Sequence, residues 1–161
     1  MTEVYLALGS NVGDSRGQIA QAVKLLGDEF SDIKQAPVYA SKAIGYTDQP
    51  DFLNTAIDGY TGLSPQELIK FITAIEQQIG RTASFRWGPR EIDIDIIFYG
   101  NLVLKTAGLT IPHPNFCDRD FVLKPLCDLN PNLADPLSKQ SIKQLLDQLK
   151  TSNQSIIKEL T

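Results

Sequence analysis

The stretch Phe52–Gly80, FLNTAIDGYTGLSPQELIKFITAIEQQIG, decides the fold because it joins a strand pattern to a helix pattern across a short turn. Residues 52–60 have the composition of a strand. Ser64 then caps a helix, Pro65 takes the first helical position, and Glu67 completes a capping box. The apolar side chains that follow recur at helical spacing up to the final glycine of the stretch. We therefore expect a strand followed directly by an amphipathic helix.

The N-terminal side adds a strand, a helix and another strand. The apolar run at residues 4–8 predicts a buried central strand, and the helical pattern after it stops at Gly27. Residues 33–40 alternate weakly and predict one strand. Residues 41–51 contain glycine, proline and several polar groups, so we expect a long loop there.

The C-terminal side adds a loop, a strand and a final helix. Residues 81–90 break every periodic pattern and predict a second long loop, and residues 92–99 predict a strand. A short strand around residues 102–104 should form a hairpin with it. Repeated prolines allow only short elements in residues 109–137. The last amphipathic helix spans about residues 142–149.

This order of elements predicts an α+β, ferredoxin-like fold: an antiparallel sheet with helices on one face and long active-site loops. A length of 161 residues is typical of one domain, so we expect residues 1–161 to form a single domain. The net charge of −4 argues against nucleic acid as a partner. No targeting or membrane-spanning segment is visible, and the two cysteines form no CxxC pair; these features predict a cytoplasmic protein.

Asp93 and Asp95 are the strongest candidates for chemistry. Residues two apart on a strand point to the same face, so the two carboxylates should lie side by side while the neighbouring isoleucines point into the core. Oxygen ligands of this kind suit magnesium, which usually also binds substrate phosphates. Alternating acids more commonly form the solvated face of an amphipathic strand. The arginines beside the pair favour the metal site here.

Four arginines could bind phosphate: Arg81, Arg86, Arg90 and Arg119. The first three lie in the second long loop, residues 81–90. Each arginine alone is more commonly a surface ion-pair partner. Together with paired carboxylates they predict a phosphate-binding loop, because phosphoryl transfer depends mainly on positioning and charge neutralisation. The single histidine, His113, is a weak metal candidate by itself. Phe52, Trp87 and Phe121 could stack on a flat ring or belong to the core.

The run from Arg86 to Asp95, RWGPREIDID, resembles the signature of the 6-hydroxymethyl-7,8-dihydropterin pyrophosphokinase family. Residues 7–11 resemble the opening strand and turn of that family, residues 48–54 its pterin-side segment, and residues 111–114 with Arg119 and Phe121 its downstream nucleotide and pterin contacts. The resemblance covers nearly the whole chain and implies transfer of a diphosphate from ATP to a pterin alcohol in folate biosynthesis, with two Mg²⁺ ions. Residues 82–85 depart from the pattern because they carry no basic residue.

The resemblance also implies a role for individual residues. Asp93 and Asp95 would bind the metal ions, and the catalytic group would comprise Arg81, Arg90 and Asp95. The residues facing ATP would be Glu76, Arg81, Arg90, Ile96, Thr110, His113 and Arg119. The residues at the pterin would be Ser41, Ile44, Phe52, Asn54, Trp87, Asp93 and Phe121.

Two other classes of function remain open from the residues themselves. A ferredoxin-like domain can bind small ligands for regulation without any chemistry. The same carboxylates could instead direct a metal-dependent hydrolysis of phosphate esters. For the favoured reading we expect small-molecule substrates only, no nucleic acid, no membrane, and a monomer.

Overall fold

A six-stranded antiparallel sheet forms the centre of the computed structural model, which describes residues 1–81 and 84–160. Its strands are β1 (Thr2–Ser10), β2 (Phe30–Gln35), β3 (Val38–Ser41), β4 (Phe52–Thr61), β5 (Asp93–Tyr99) and β8 (Ile156–Leu160). The order across the sheet is β5, β1, β4, β3, β8, and β2 also pairs with β4. The short strands β6 (Leu104–Lys105) and β7 (Thr110–Ile111) form a separate hairpin.

Four α-helices accompany the sheet in the described part of the chain: α1 (Ser15–Leu26), α2 (Pro65–Ile79), α3 (Asp120–Leu129) and α4 (Ile142–Asp147). The Asp14 side chain caps α1 by accepting from the Gly17 amide. The capping box of Ser64 and Glu67 is present at the start of α2. Gly80 ends α2 with a φ of 108°, which a residue with a side chain rarely adopts. No helix in these described segments is long and apolar enough to cross a bilayer.

The two faces of the sheet are covered by different helices. Val4, Leu6 and Leu8 of β1 pack in one core with α1 and α2. Tyr5 and Ala7 point the other way and pack in a second core with α3 and α4, as the alternation of a strand requires. The predicted α+β class and the antiparallel sheet are confirmed, and the second face is covered by α3, which was not predicted, together with the predicted last helix, α4.

The prediction of one strand over residues 33–40 was wrong. The chain forms β2 and β3 instead, interrupted at Ala36 and Pro37. Pro37 has no amide hydrogen to give to a sheet ladder. The Ala36 amide still donates to the Ala56 carbonyl at 2.9 Å, and both β2 and β3 pair with β4.

The predicted hairpin between residues 92–99 and 102–104 was also wrong. The Leu102 amide donates to the Tyr99 carbonyl at 3.0 Å, which makes a turn without strand pairing. Strand pairing begins after the next turn. There Thr106 and Leu109 close a hairpin through main-chain and side-chain hydrogen bonds. As a result β6 pairs with β7 and not with β5.

The C-terminal third holds more regular structure than predicted. The expectation of only short elements in residues 109–137 was wrong, because α3 has ten residues. Pro125 lies inside this helix and has no amide hydrogen to donate. The main-chain hydrogen bond that is missing is the one to the carbonyl of Phe121, in the first turn. The predicted last helix ends two residues early, at Asp147. The strand β8 was not predicted.

Candidate active site

A cavity of about 260 Å³ opens at one end of the sheet, where three strands bring polar residues together. Gly9 near the end of β1 pairs with Asn54 near the start of β4 on one side and with Asp93 at the start of β5 on the other. Because these strands are antiparallel, the end of β1 meets the starts of both neighbours. Residues distant in the sequence therefore converge on one cavity.

The wall of this cavity contains every residue assigned to the pterin by the resemblance: Ser41, Ile44, Phe52, Asn54, Trp87, Asp93 and Phe121. Arg90, Asp95, His113 and Arg119 also line it. The structure thus brings the predicted pterin residues together beside several predicted nucleotide residues. Their contacts with a ligand stay a prediction.

Asn54 is held in place at the floor of the cavity. It is buried, and its amide donates to the Ser41 hydroxyl at 2.6 Å. Gly9 lies directly opposite, and a Cβ at that position would come within 2.8 Å of the Asn54 Oδ1 atom. The absence of a side chain at Gly9 therefore leaves room for the Asn54 amide, a contact that the sequence pattern did not reveal.

The carboxylates of Asp93 and Asp95 share one face of β5, as predicted from their spacing. Ile94 and Ile96 between and beyond them point into the opposite core. Burial, and then the neighbouring charge of Asp95, raises the pKa of Asp93 to about 6. Burial also raises the pKa of Asp95. Ionising both carboxylates at once is costly, and a bound cation would stabilise the doubly ionised pair.

The described residues contain no group of three or more His, Cys, Asp or Glu side chains that could hold a metal ion. The side chains of Asp93 and Asp95 remain 39% and 33% exposed, and both line the cavity. Magnesium commonly takes one or two carboxylates and completes its octahedron with water and substrate phosphate oxygens. The two aspartates fit this donor set.

Glu76 and Arg81 join the end of α2 to the carboxylate pair. Arg81 donates to Glu76 at 2.7 Å and lies 3.4 Å from an Asp93 oxygen. Glu76 also accepts from the Ile94 amide at 3.1 Å, and burial raises its pKa. Arg81 is thereby held between two carboxylates at the edge of the site.

His113 and Arg119 lie on the other side of Asp95. The Nε2 atom of His113 is 3.9 Å from an Asp95 oxygen, and its Nδ1 atom accepts from the main-chain amide of Asn115 at 3.2 Å. Burial, and then the charge of Arg119, lowers the pKa of His113 to about 4. His113 is therefore neutral at pH 7. A second cavity beside Asp95 is lined by Ile96, Thr110 and His113.

Trp87 and Arg90 stand over the cavity on the second long loop. The Arg119 guanidinium lies 5.1 Å from the Trp87 ring centre and 5.8 Å from that of Phe121. Arg90 donates to the carbonyls of Pro89 and Phe85 at 3.0 and 3.1 Å. Thr82 and Ala83, part of the segment without a basic residue, lie outside the described residues.

Two polar residues of the cavity were missed by sequence reasoning. Lys42 and Asn115 line the wall without having been assigned to a ligand. Each is a single polar residue in a loop whose course depends on tertiary packing, so the sequence gives no signal for it. Arg86, one of the four predicted phosphate candidates, also lines the wall.

Comparison with known proteins gives a consistent set of relatives. The sequence profile of a family described as 7,8-dihydro-6-hydroxymethylpterin-pyrophosphokinase matches residues 5–131. A 2-amino-4-hydroxy-6-hydroxymethyldihydropteridine pyrophosphokinase of Aquifex aeolicus is 44% identical over 145 residues, which cover 89% of this chain and 90% of the relative. A protein of the same name from Bacillus subtilis is 41% identical over 127 residues, covering 78% and 76%.

Longer relatives contain the same region as one part of a larger chain. The folic acid synthesis protein FOL1 of Dictyostelium discoideum is 46% identical over 133 residues, and this chain spans 20% of its length. The crystal structure of Plasmodium falciparum HPPK-DHPS superposes with a TM-score of 0.69 at 15% identity, covering 92% of this chain and 43% of that one. At that identity the superposition shows a shared fold.

Proposed function

The chain belongs to the 7,8-dihydro-6-hydroxymethylpterin-pyrophosphokinase family, and from this premise we propose how its cavity performs the family's reaction. The activity is pyrophosphoryl transfer from ATP to hydroxymethyldihydropterin in folate synthesis. In this reaction the pterin hydroxyl oxygen bonds to the β-phosphorus of ATP. The bond from that phosphorus to the α-phosphate oxygen breaks, the hydroxyl proton is lost, and AMP leaves.

The observation that carries the assignment of the site is the position of Asp93 and Asp95. Both carboxylates line the cavity that also contains Phe52, Asn54 and Phe121. Arg81 lies 3.4 Å from Asp93. A cavity that combines flat apolar walls, paired carboxylates and arginines suits a reaction between an aromatic alcohol and a polyphosphate.

Asp93 and Asp95 would hold two Mg²⁺ ions. When bound, these ions would neutralise phosphate oxygens and favour displacement at phosphorus. The aspartates contribute fixed oxygen ligands on a rigid strand. Asp93 would also adjoin the pterin, because it lines the same cavity as Phe52 and Asn54.

The arginines supply positive charge where negative charge develops. Arg81 and Arg90 would stabilise the transferred diphosphate group in the transition state, because guanidinium groups are permanently charged and donate in pairs. Arg119 would bind ATP beside Asp95. His113, which is neutral at pH 7, would donate or accept a hydrogen bond there without adding charge. Glu76 would position Arg81 through their 2.7 Å contact.

The substrates would occupy the two adjoining cavities. Ile96 and Thr110 in the second cavity would contact the nucleotide. The pterin would stack between Phe52 and Phe121, with the Asn54 amide at its polar edge. Ser41 and Ile44 would complete the wall, and Trp87 would cover the bound ring.

The wider context of the enzyme is also a proposal. We infer that residues 1–161 act as one domain, since the sheet includes strands from Thr2 to Leu160. We also propose that the protein acts as a monomer, since residues of a single chain line the cavity, and that it works in the cytoplasm. The additional activities of the longer relatives are not assigned to this chain.

Replacing Asp95 tests the role of the carboxylate pair. D95N keeps the shape of the side chain and removes its charge, and we expect kcat to fall by at least about 100-fold, in line with the loss of one preorganised electrostatic contact. The matched control is D147N, because the Asp147 side chain on α4 is 63% exposed. AMP formation measured with ATP, Mg²⁺ and the pterin alcohol is the readout.

The same assay separates the alternative functions. AMP that forms only when the pterin alcohol is present supports the proposal. Inorganic phosphate released without the pterin would identify a hydrolase, and binding without any turnover would identify a regulatory module. Near-normal AMP formation by D95N would contradict the proposed role of Asp95.

A further inference from the structure

Two loops meet over the cavity through a pair of side-chain amides. One loop covers residues 42–51 and the other residues 84–90, and both contribute residues to the cavity wall. We propose that Asn11 and Gln49, here called the amide bridge, position Trp87 and Arg90 over the pterin site. Asn11 and Gln49 are positioning residues in this proposal, which rests on the proposed function.

Gln49 joins the two loops directly. Its Nε2 atom donates to the Tyr46 carbonyl at 2.6 Å within its own loop and to the Trp87 carbonyl at 2.7 Å in the other. Its Oε1 atom accepts from the Asn11 amide at 2.9 Å. Both hydrogens of the Gln49 amide and its oxygen therefore have partners.

Asn11 extends the bridge to the end of β1. Its Nδ2 atom donates to Gln49 and to the Pro50 carbonyl at 3.0 Å, and its Oδ1 atom accepts from the Arg90 amide at 2.9 Å. The Asn11 main-chain amide donates to the Arg90 carbonyl at 3.0 Å. Asn11 is only 5% exposed, so these bonds fix the backbone of Arg90 against the rigid sheet.

The backbone of Trp87 needs such a support. Its φ of 66° is one that residues with side chains rarely adopt. The indole ring packs against Gly45 so closely that a Cβ at that glycine would lie 3.0 Å from the ring. Tyr46 and Phe85 add a ring contact between the same loops, with their ring centroids 4.9 Å apart. The conformation of Trp87 therefore depends on the 42–51 loop.

The amide bridge thereby connects the pterin side of the cavity with the phosphate side. Trp87 would cover the pterin, and Arg90 would face the diphosphate. Both are attached to one hydrogen-bond network that starts at Asn11, directly after β1. Losing the bridge should disturb the two positions together while leaving Asp93, Asp95 and the second cavity in place.

Isosteric acids test the bridge with the smallest change in shape. In Q49E a carboxylate would face the carbonyls of Tyr46 and Trp87, and in N11D it would face the Pro50 carbonyl. The matched control is Q21E, because Gln21 is exposed on α1. Far-ultraviolet circular dichroism confirms folding, and Q49E is informative even if N11D unfolds.

The first readout needs no activity. Trp87 is the single tryptophan of the chain, so acrylamide quenching of intrinsic fluorescence reports on it alone. We expect the quenching constant of ligand-free Q49E and N11D to rise about 2-fold as the loop opens locally, and that of Q21E to stay unchanged. An unchanged quenching constant in both bridge variants would overturn the proposal.

The second readout separates positioning from nucleotide binding. We expect kcat/KM for the pterin alcohol to fall about 10- to 100-fold in Q49E, as for a misplaced binding group. The Kd for ATP without pterin should rise by a smaller factor, because Arg90 is disturbed while Arg119 and the second cavity stay in place. Wild-type kcat/KM in Q49E would overturn the proposal.

A different result would refute the proposed function and leave the amide bridge supported: raised quenching in the bridge variants, with no turnover in any protein, wild type included.

Discussion

At the residue scale, the site depends on small features that make room for polar groups. Gly9 leaves space for the buried Asn54 amide, and Ser41 accepts a hydrogen bond from it. The acidic pair and the arginine run are visible in the sequence, because strand alternation places Asp93 and Asp95 on one face. The role of Gly9 is not visible there, since it depends on a strand that pairs with β1 from far along the chain.

Gly9 provides a test of the pterin wall. In G9A the new methyl group would lie 2.8 Å from Asn54 Oδ1 and displace the amide. We expect the Kd for the pterin alcohol to rise about 3- to 10-fold, the equivalent of one hydrogen bond, with the fold intact. Isothermal titration measures the change. G108A is the control, because nothing lies within 4 Å of a Cβ at Gly108; equal affinity of G9A and wild type would refute the steric argument.

Tyr5 provides a test of burial at alkaline pH. It is 3% exposed, accepts a hydrogen bond from Asn130 at 3.3 Å, and has its pKa raised to about 12 by burial. The folded state therefore favours the neutral phenol, and this contribution is complete below pH 10 and lost as pH rises toward 12. Between pH 9 and 11 we expect wild type to lose about 1.4 kcal/mol more unfolding free energy than Y5F. Urea unfolding at both pH values measures the difference, and parallel losses would contradict it.

At the element scale, the C-terminal strand is held by a contact between distant residues. Asp120, buried at the start of α3, accepts from the Ser155 amide, the Ser155 hydroxyl and the Ile156 amide at 2.7, 2.6 and 2.9 Å. These bonds attach β8 to the body of the protein.

The capping box of α2 was predictable because it is local. The helix α3 and the strand β8 were not, since Pro125 hides the helix and the strand depends on Asp120.

Removing the Asp120 carboxylate should therefore weaken the molecule strongly. D120A leaves buried donors at Ser155 and Ile156 without partners, and we expect the free energy of unfolding to fall by about 2 to 4 kcal/mol. Chemical denaturation gives the value. D147A, which removes an exposed ion pair with Lys143 on α4, should change it by less than about 0.5 kcal/mol. Equal effects of the two substitutions would contradict the assigned role of Asp120.

At the scale of the whole molecule, an acidic chain gathers its positive charge where an anion would bind. The net charge is −4, yet Arg86, Arg90 and Arg119 line one cavity. The sheet places this cavity at one end, with separate hydrophobic cores on its two faces. Fold stability and chemistry thus occupy different parts of the molecule, so that a substitution of Asp95 should remove activity without unfolding the chain.

The most direct test of the central claim is the identity of the phosphorus products. Phosphorus-31 NMR of a reaction with ATP, Mg²⁺ and 6-hydroxymethyl-7,8-dihydropterin should show AMP and a pterin diphosphate appearing in equal amounts, because the two terminal phosphates move as one unit. Neither should form when the pterin is left out. ADP with a pterin monophosphate, or inorganic phosphate formed without the pterin, would contradict diphosphate transfer by this chain.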